Sequence, residues 1–314
     1  MTTGARVLIT GAGGHLGGQA ARTFAASGRE VFGTRRREPS AKVDQASTVH
    51  WLSCDLADLE QVRAAVKASR PSWVLHAVGL AGGADFSALL AANVATLANL
   101  LRALEGVPVE RVLVIGSSAE YAPGRQREPI REDHPLQPSG PYGLTKLFQF
   151  ELSRMAVRSG VPLVYARPFN LIGPGVSCAT AVGDISDRLA DATQGNGPHV
   201  LEVGDLDRWR DYLDVRDAAA ACGVLLEQGS PGEVYNVCSG AAVLLADVVH
   251  ELIAIAGKDV SLRRIEGTAS PRFAVGDDSK LRTLGWTRQY DLATSLRDGL
   301  QAMVARDRGA TEGR

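Results

Sequence analysis

Cysteine is scarce in this chain and follows no pattern. Cys54, Cys178, Cys222 and Cys238 form no CxxC and keep no zinc-ligand rhythm, which excludes a disulfide framework and reads as reduced, partly buried thiols. The six histidines show neither HxxxH nor HxxEH spacing, so no metal site is expected. Apolar runs long enough to cross a bilayer are missing, as is an apolar stretch followed by a small-residue cleavage site near Met1. A cytoplasmic protein without membrane contact is the expectation. An excess of one charge is lacking too: Lys plus Arg is 34 against 35 for Asp plus Glu, a formal charge of -1, which offers no field to draw in nucleic acid or an anionic membrane. The expected partner is a small molecule.

What is present is a globular composition, 45 % hydrophobic over 314 residues, and this length passes the point where a single core stops growing. One large domain with a smaller annex follows. Arg6 to Thr10 (RVLIT) is a short apolar run that meets glycines at once, and Leu16 to Ser27 then reads as a helix. Strand-like runs at Glu30 to Thr34, Val49 to Ser53, Trp73 to Ala77 and Arg111 to Ser117 alternate with helical stretches at Leu59 to Ser69 and Phe86 to Glu105. The runs are continuous rather than alternating, as parallel strands buried on both faces require, so the fold class is α/β with a doubly wound parallel sheet. Pro123, Pro129, Pro135 and Pro138 make Ala122 to Gly140 a loop. A helix over Tyr142 to Ser159 and a strand at Leu163 to Arg167 follow. Beyond Gly173 the strict alternation fades into a helix near Asp184 to Thr193, a short strand at Val200 to Val203 and mixed elements after Gly240.

Two stretches carry chemistry. Thr10 to Gly17 reads TGAGGHLG, which spaces Gly11, Gly14 and Gly17 three apart between the first strand and the first helix. Glycines there give a tight turn, close approach of backbone to a pyrophosphate and close packing of helix on strand, with free N–H groups facing the anion. The second strand runs into Arg35, Arg36 and Arg37 where an NAD site would place an acid for the ribose 2'-hydroxyl, so Arg35 and Arg36 suit a 2'-phosphate and NADP(H) is favoured over NAD(H). Asp55 can accept from the adenine amino group or cap the next helix. The other stretch is PYGLTK, in which Tyr142 and Lys146 lie one helical turn apart. Lowering a phenol from a pKa near 10 to about 7 takes roughly 4 kcal/mol, within reach of a neighbouring ammonium and a nicotinamide ring. Ser117 and Ser118, at the end of the fifth strand, bring a hydroxyl toward the same carbonyl oxygen.

TGxxGxxG, a serine after the fifth strand and YxxxK together resemble the extended short-chain dehydrogenase/reductases that act on nucleotide sugars. RPFN with GPG at Arg167 to Gly175, RDYLDVRD at Arg210 to Asp217, YNVCSG at Tyr235 to Gly240 and GDDSKLRTLGW at Gly276 to Trp286 extend the likeness over nearly the whole chain. With GSSAEYA and VGDLDRW, the set looks most like the GDP-4-keto-6-deoxy-mannose reductases. The resemblance implies catalytic Ser117, Tyr142 and Lys146, a cofactor site that adds His15, Leu16, Leu56 and Ala77 to the residues above, and a substrate site of Ser118, Asn170 and Arg210. Asn170 as a turn cap, and Arg210 paired with Asp211 or Asp214, are the plain structural alternatives. It implies a homodimer, and three parts: residues 1–172 as an NADP(H)-binding Rossmann domain carrying the Ser/Tyr/Lys site, 173–305 as mainly a substrate-binding domain with segments that return to the first, and 306–314 as a frayed tail. Dehydratases of the superfamily carry an acid two places before the strand-end tyrosine, and here that place is Ala119, with Glu120 one off, so elimination is disfavoured. His76-Ala77-Val78-Gly79 and Ala122 also depart from the family's usual residues. The implied activity is NADPH-dependent reduction of the C4 ketone of a nucleotide-diphosphate 4-keto-6-deoxy-hexose. An NAD-retaining 4-epimerase and a non-catalytic NADP-sensing module are the alternatives.

Overall fold

Val7, Leu8 and Ile9 have almost no exposed surface, and the strand they form, β1 (Arg6–Thr10), is an inner strand of the central sheet. The structure is a computed structural model that describes residues 4–36, 48–82, 84–123, 128–194, 199–265 and 273–311. Arg37, the third arginine of the basic run, and part of the proline-rich loop lie outside the described residues.

β2 (Glu30–Arg35), β3 (Val49–Ser53), β4 (Trp73–His76), β5 (Arg111–Ile115) and β6 (Leu163–Pro168) join β1 in the sheet. Four shorter strands follow in the chain, β7 (Asn170–Ile172), β8 (His199–Val203), β9 (Trp209–Arg210) and β10 (Tyr212–Asp214), before β11 (Val234–Val237) returns to the sheet edge beside β6. The order is β3-β2-β1-β4-β5-β6-β11, with every pairing parallel. It reverses direction between β1 and β4, where Thr10 stands opposite His76, and a crevice opens at the carboxyl ends of the strands.

One face of the sheet is covered by α1 (His15–Ala26) and by α7 (Val215–Gln228), which arrives from nearly 200 residues later and packs on it through Ala218, Ala221 and Leu225. The other face is covered by α2 (Leu59–Ser69), α4 (Thr96–Ala103) and α5 (Pro141–Arg158), around Val66, Leu97, Leu100 and Leu163. The single helix expected over Phe86 to Glu105 is α3 (Phe86–Leu90) and α4 joined by one wide π turn at Ala91–Ala95. This stretch has the length and composition of a membrane span, but it lies in the helical layer and inserts Leu89, Leu97 and Leu100 into the core.

A second core lies past β6. α6 (Ala181–Gln194), α8 (Leu245–Ala256) and α10 (Leu292–Thr311) pack around β8, with Leu189, Leu201, Val248 and Leu252 fully buried. β8 pairs in parallel with β13 (Val260–Arg264), while β12 (Val243–Leu244), β9 and β14 (Phe273–Ala274) make a three-stranded patch. The fading alternation thus has a physical cause: α7, β11 and the short α9 (Ser279–Arg282) belong to the large sheet, and the segments between them to the small core. The end of the chain differs from the expectation of fraying at 306. α10 stays helical through Thr311, and Arg306 pairs with Asp187 of α6.

Candidate active site

The turn after β1 is closed by Gly14 N–H donating to the Gly11 carbonyl at 2.9 Å. Gly11 has φ +78°, and a Cβ there would sit 2.9 Å from the Ala77 carbonyl carbon; one at Gly17 would sit 2.2 Å from the Gly11 oxygen. Both contacts are shorter than any side chain tolerates, so the backbone of the turn approaches α1 and β4 as only glycine allows. No side chain caps α1, so its first N–H groups face the crevice beside this cradle, which suits a dinucleotide pyrophosphate. Leu16 buries its side chain in the core, and only its backbone serves the turn. The Ala77 N–H donates to Thr10 and fixes the opposite wall.

His15 opens α1 beside this cradle. The backbone of Pro174 faces its ring, and its Cδ2 lies 3.6 Å from where a Gly175 Cβ would stand, so the ring packs the glycine turn against the GPG loop. Burial lowers its pKa to about 4, against weaker raising effects of Pro174 and Asp214, and the imidazole is neutral at pH 7.

Asp55 is exposed, and its Oδ1 accepts from the Ala57 N–H at 3.0 Å. The helix-cap alternative for Asp55 is corrected: Asp58 caps α2, accepting from the N–H groups of Glu60 and Gln61. Leu56 packs its side chain into the core under β3. At the end of β2, the Arg35 guanidinium lies 3.9 Å from the centre of the Trp51 ring, and Arg36 is exposed.

Ser117 and Tyr142 meet beyond β5. The Ser117 hydroxyl lies beside the Tyr142 phenol and lowers its pKa, and the Ser117 Oγ accepts from the Ala119 N–H at 3.1 Å. Lys146 is buried one turn along α5, and its Nζ donates to the Ile115 carbonyl at 2.9 Å and to Gln149 Oε1 at 2.8 Å. The spacing predicted an ammonium acting on the phenol. Lys146 Nζ is held at the end of β5, and burial raises the Tyr142 pKa, with the Ser117 hydroxyl lowering it and Glu120 raising it. Tyr142 is therefore a phenol that stays protonated at neutral pH, the state a proton donor requires.

Sequence reasoning missed two supports of this group. Asn93, buried in the π turn, accepts from the Leu80 N–H at 2.9 Å and donates to the Leu80 carbonyl at 3.1 Å and to Thr145 Oγ1 at 2.9 Å. It pins the loop after β4 against α5, with Lys146 Nζ 3.3 Å and Asn93 Oδ1 3.4 Å from where a Gly79 Cβ would stand. Glu120 is the other. Its Oε1 accepts from the Ser117 N–H at 2.8 Å and from the Tyr165 hydroxyl at 2.9 Å, and its Oε2 takes the Nε–H of fully buried Arg167 at 2.7 Å. With no surface of its own and both oxygens engaged, Glu120 faces away from the crevice.

In the smaller unit Asn170 of β7 is in register with Tyr212 of β10, and Arg210 lies in β9. Asn170 is exposed and donates its side-chain N–H to the Asp211 carbonyl at 2.8 Å. The two carboxylates named as alternative partners of Arg210 are taken: Asp211 accepts from Ser239, Gly240 and Gly276, and Asp214 from Arg216. Ser118 is half-buried in the turn after Ser117. Among the described residues no cluster of His, Cys, Asp and Glu could hold a metal ion, and the four cysteines are free.

Burial lowers the Lys146 pKa to about 8, with Glu120 pulling it back up. A group with this lowered value is charged below pH 8 and loses its proton as the pH rises through it. If the reaction needs the ammonium, kcat/KM should fall above about pH 8 with a slope of one proton. A profile flat from pH 7 to 10 would remove Lys146 from the reaction.

Among known proteins, the NAD dependent epimerase/dehydratase family matches residues 7–238. GDP-6-deoxy-D-mannose reductase of Pseudomonas aeruginosa is 33 % identical over 225 residues, covering 68 % of this chain and 72 % of that protein. The structure of RMD from Pseudomonas aeruginosa complexed with NADPH superposes with a TM-score of 0.81 at 27 % identity, over 96 % of this chain and 99 % of that one. UDP-glucose 4-epimerase of Thermus thermophilus, complexed with NAD, superposes with a TM-score of 0.85 at 24 % identity, over 95 % of this chain and 98 % of that one, and so shares the fold.

Proposed function

The chain belongs to the NAD dependent epimerase/dehydratase family and is a nucleotide-sugar NAD(P)-dependent oxidoreductase, and from that premise we propose that it reduces the C4 ketone of a nucleotide-diphosphate 4-keto-6-deoxy-hexose with NADPH. The observation that carries this reading is the convergence of Ser117, Tyr142 and Lys146 at the end of β5, with Lys146 Nζ on the Ile115 carbonyl and the Ser117 hydroxyl beside the Tyr142 phenol.

Gly11, Gly14 and Gly17 would hold NADPH, which would supply the hydride for C4 of the sugar. Tyr142 gives its proton to the ketone oxygen as the electron pair of the C=O bond moves onto it, and the Ser117 hydroxyl donates a hydrogen bond to the same oxygen. The product is the C4 alcohol. The Lys146 ammonium, held at the β5 carboxyl end, supplies positive charge next to the phenolate left behind and donates to the nicotinamide ribose. Arg35, with Arg36 beside it, takes the ribose 2'-phosphate, which favours NADP(H) over NAD(H). Asp55 stands at the adenine end.

Ser118, Asn170 and Arg210 hold the sugar nucleotide, Arg210 against the diphosphate, and residues 173–305 supply most of this side of the cleft. The deoxysugar reductase at 33 % identity supports the choice of substrate class. Elimination is a poor fit, because Glu120 is fully engaged behind Ser117. Phe148 and Met155, seven apart on the outer face of α5, are the exposed apolar positions we assign to contact with a second copy. The free thiols suit a reducing, cytoplasmic setting.

The test is to supply NADPH with a panel of 4-keto-6-deoxy-hexose nucleotides. One NADPH should disappear for each 6-deoxy-hexose formed. Interconversion of 4-hydroxy epimers by protein that carries its own NAD, without added reductant, would replace this reading with the epimerase.

A further inference from the structure

Gln149 is a buried polar side chain that the chemistry above leaves without a role. It lies on α5 three residues beyond Lys146 and has no exposed surface. Its Oε1 accepts from the Lys146 Nζ at 2.8 Å, while its Nε2 is buried without a hydrogen-bond partner among the described residues. Methionine would fill much the same space and avoid that cost, so what glutamine adds is one acceptor oxygen aimed at one ammonium.

The surroundings of Lys146 show why the acceptor is a neutral one. An ammonium has three N–H groups, and Lys146 gives one to the Ile115 carbonyl and one to Gln149, both uncharged. Four titratable groups face it from the elements packed around it. Glu120, in the turn after β5, favours the ammonium through space, but its ion pair is with Arg167 and its oxygens are engaged by Ser117, Tyr165 and Arg167. His76, at the end of β4, is pushed down to about 3 by burial and then by Lys146 itself, so it is neutral. Tyr142 of α5 and Tyr165 of β6 are phenols that burial pushes above their ordinary value. A carboxylate at position 149 would hold Lys146 more tightly and cancel its field at Tyr142, and an apolar side chain would leave the ammonium one acceptor short. We propose that Gln149 is a positioning residue for Lys146: it fixes the ammonium at the end of β5 without neutralising it, leaves the charge to act on the Tyr142 phenolate, and so sets the pH above which the reaction fails. The inference rests on the reductase reading above for the use made of that charge.

The chain has five lysines, few enough for carbon-13 NMR of protein labelled at lysine Cε to follow Lys146 through a pH titration without substrate, its signal assigned by its loss in Lys146→Arg. Lys146 should titrate near pH 8 in wild type. It should titrate about one pH unit lower in Gln149→Met and about one to three higher in Gln149→Glu. The alkaline limb of kcat/KM should move in the same direction in each variant, while kcat of Gln149→Glu at neutral pH should fall about tenfold as its carboxylate cancels the field. Variants of opposite sign keep the test alive if one of them fails to fold. Titration of Lys146 at the same pH in all the folded proteins would overturn the role of Gln149, as would an alkaline limb that stays in place while the lysine signal moves, or an unchanged kcat in Gln149→Glu. Shifts of the lysine signal as stated, in a protein that consumes no NADPH with any 4-keto-6-deoxy-hexose nucleotide, would overturn the reductase reading and leave the hold of Gln149 on Lys146 intact.

Discussion

Tyr142→Phe should lower turnover by about two to four orders of magnitude, the range spanned by removal of a positioned proton donor. The substitution deletes one oxygen and leaves the ring at the start of α5, so binding of the sugar nucleotide should change little. The loss should therefore appear in kcat and kcat/KM together, with KM nearly unchanged. Ser117 should keep its place in the variant, because its Oγ is held by the Ala119 N–H at 3.1 Å. Steady-state rates of NADPH oxidation read the result directly. Turnover within a factor of a few of wild type would show that the proton comes from elsewhere.

Glu120→Ala should be the most damaging substitution for stability. It strips the carboxylate from Arg167, which is 1 % exposed, and leaves the N–H of Ser117 and the hydroxyl of Tyr165 without their acceptor. An uncompensated buried charge of this kind costs about 3–5 kcal/mol. In a chain of this size that corresponds to a melting temperature lower by on the order of 10 °C. Glu120→Gln keeps the shape but not the charge, and should fall between wild type and the alanine variant. Thermal unfolding followed by circular dichroism separates the two, and an alanine variant that melts with wild type would refute the account of the network.

The same network shows where sequence reading stops. The glycine turn is legible because its requirements are local: RVLIT must be a buried strand, and Gly11 and Gly17 after it stand where the structure has room only for backbone. Glu120 is different. From sequence it looks like a displaced catalytic acid, and its inward orientation is set by Tyr165 and Arg167 of β6, 45 and 47 residues further on. The Tyr142 and Lys146 spacing establishes a shared face of α5, but not that Lys146 reaches the Ile115 carbonyl. Asn93 has no local signature at all, since one amide in an apolar helix reads as surface until the π turn carries it to Leu80 and Thr145. α7 and β11 lie in the stretch where the alternation fades and are not read from sequence as elements. Which sheet they join depends on α1 and β6, and no pattern within either segment says so.

The origin of the hydrogen at C4 of the product tests the central claim most directly. A reductase delivers hydride from a cofactor that is exchanged at each turnover, whereas an epimerase returns to the sugar the hydride it took. With NADPH deuterated at the transferred position of the nicotinamide and an unlabelled 4-keto-6-deoxy-hexose nucleotide, mass spectrometry of the product should find one deuterium per hexose, at C4, with one cofactor oxidised for each. A C4 epimer formed with no deuterium and no net loss of NADPH would contradict the account.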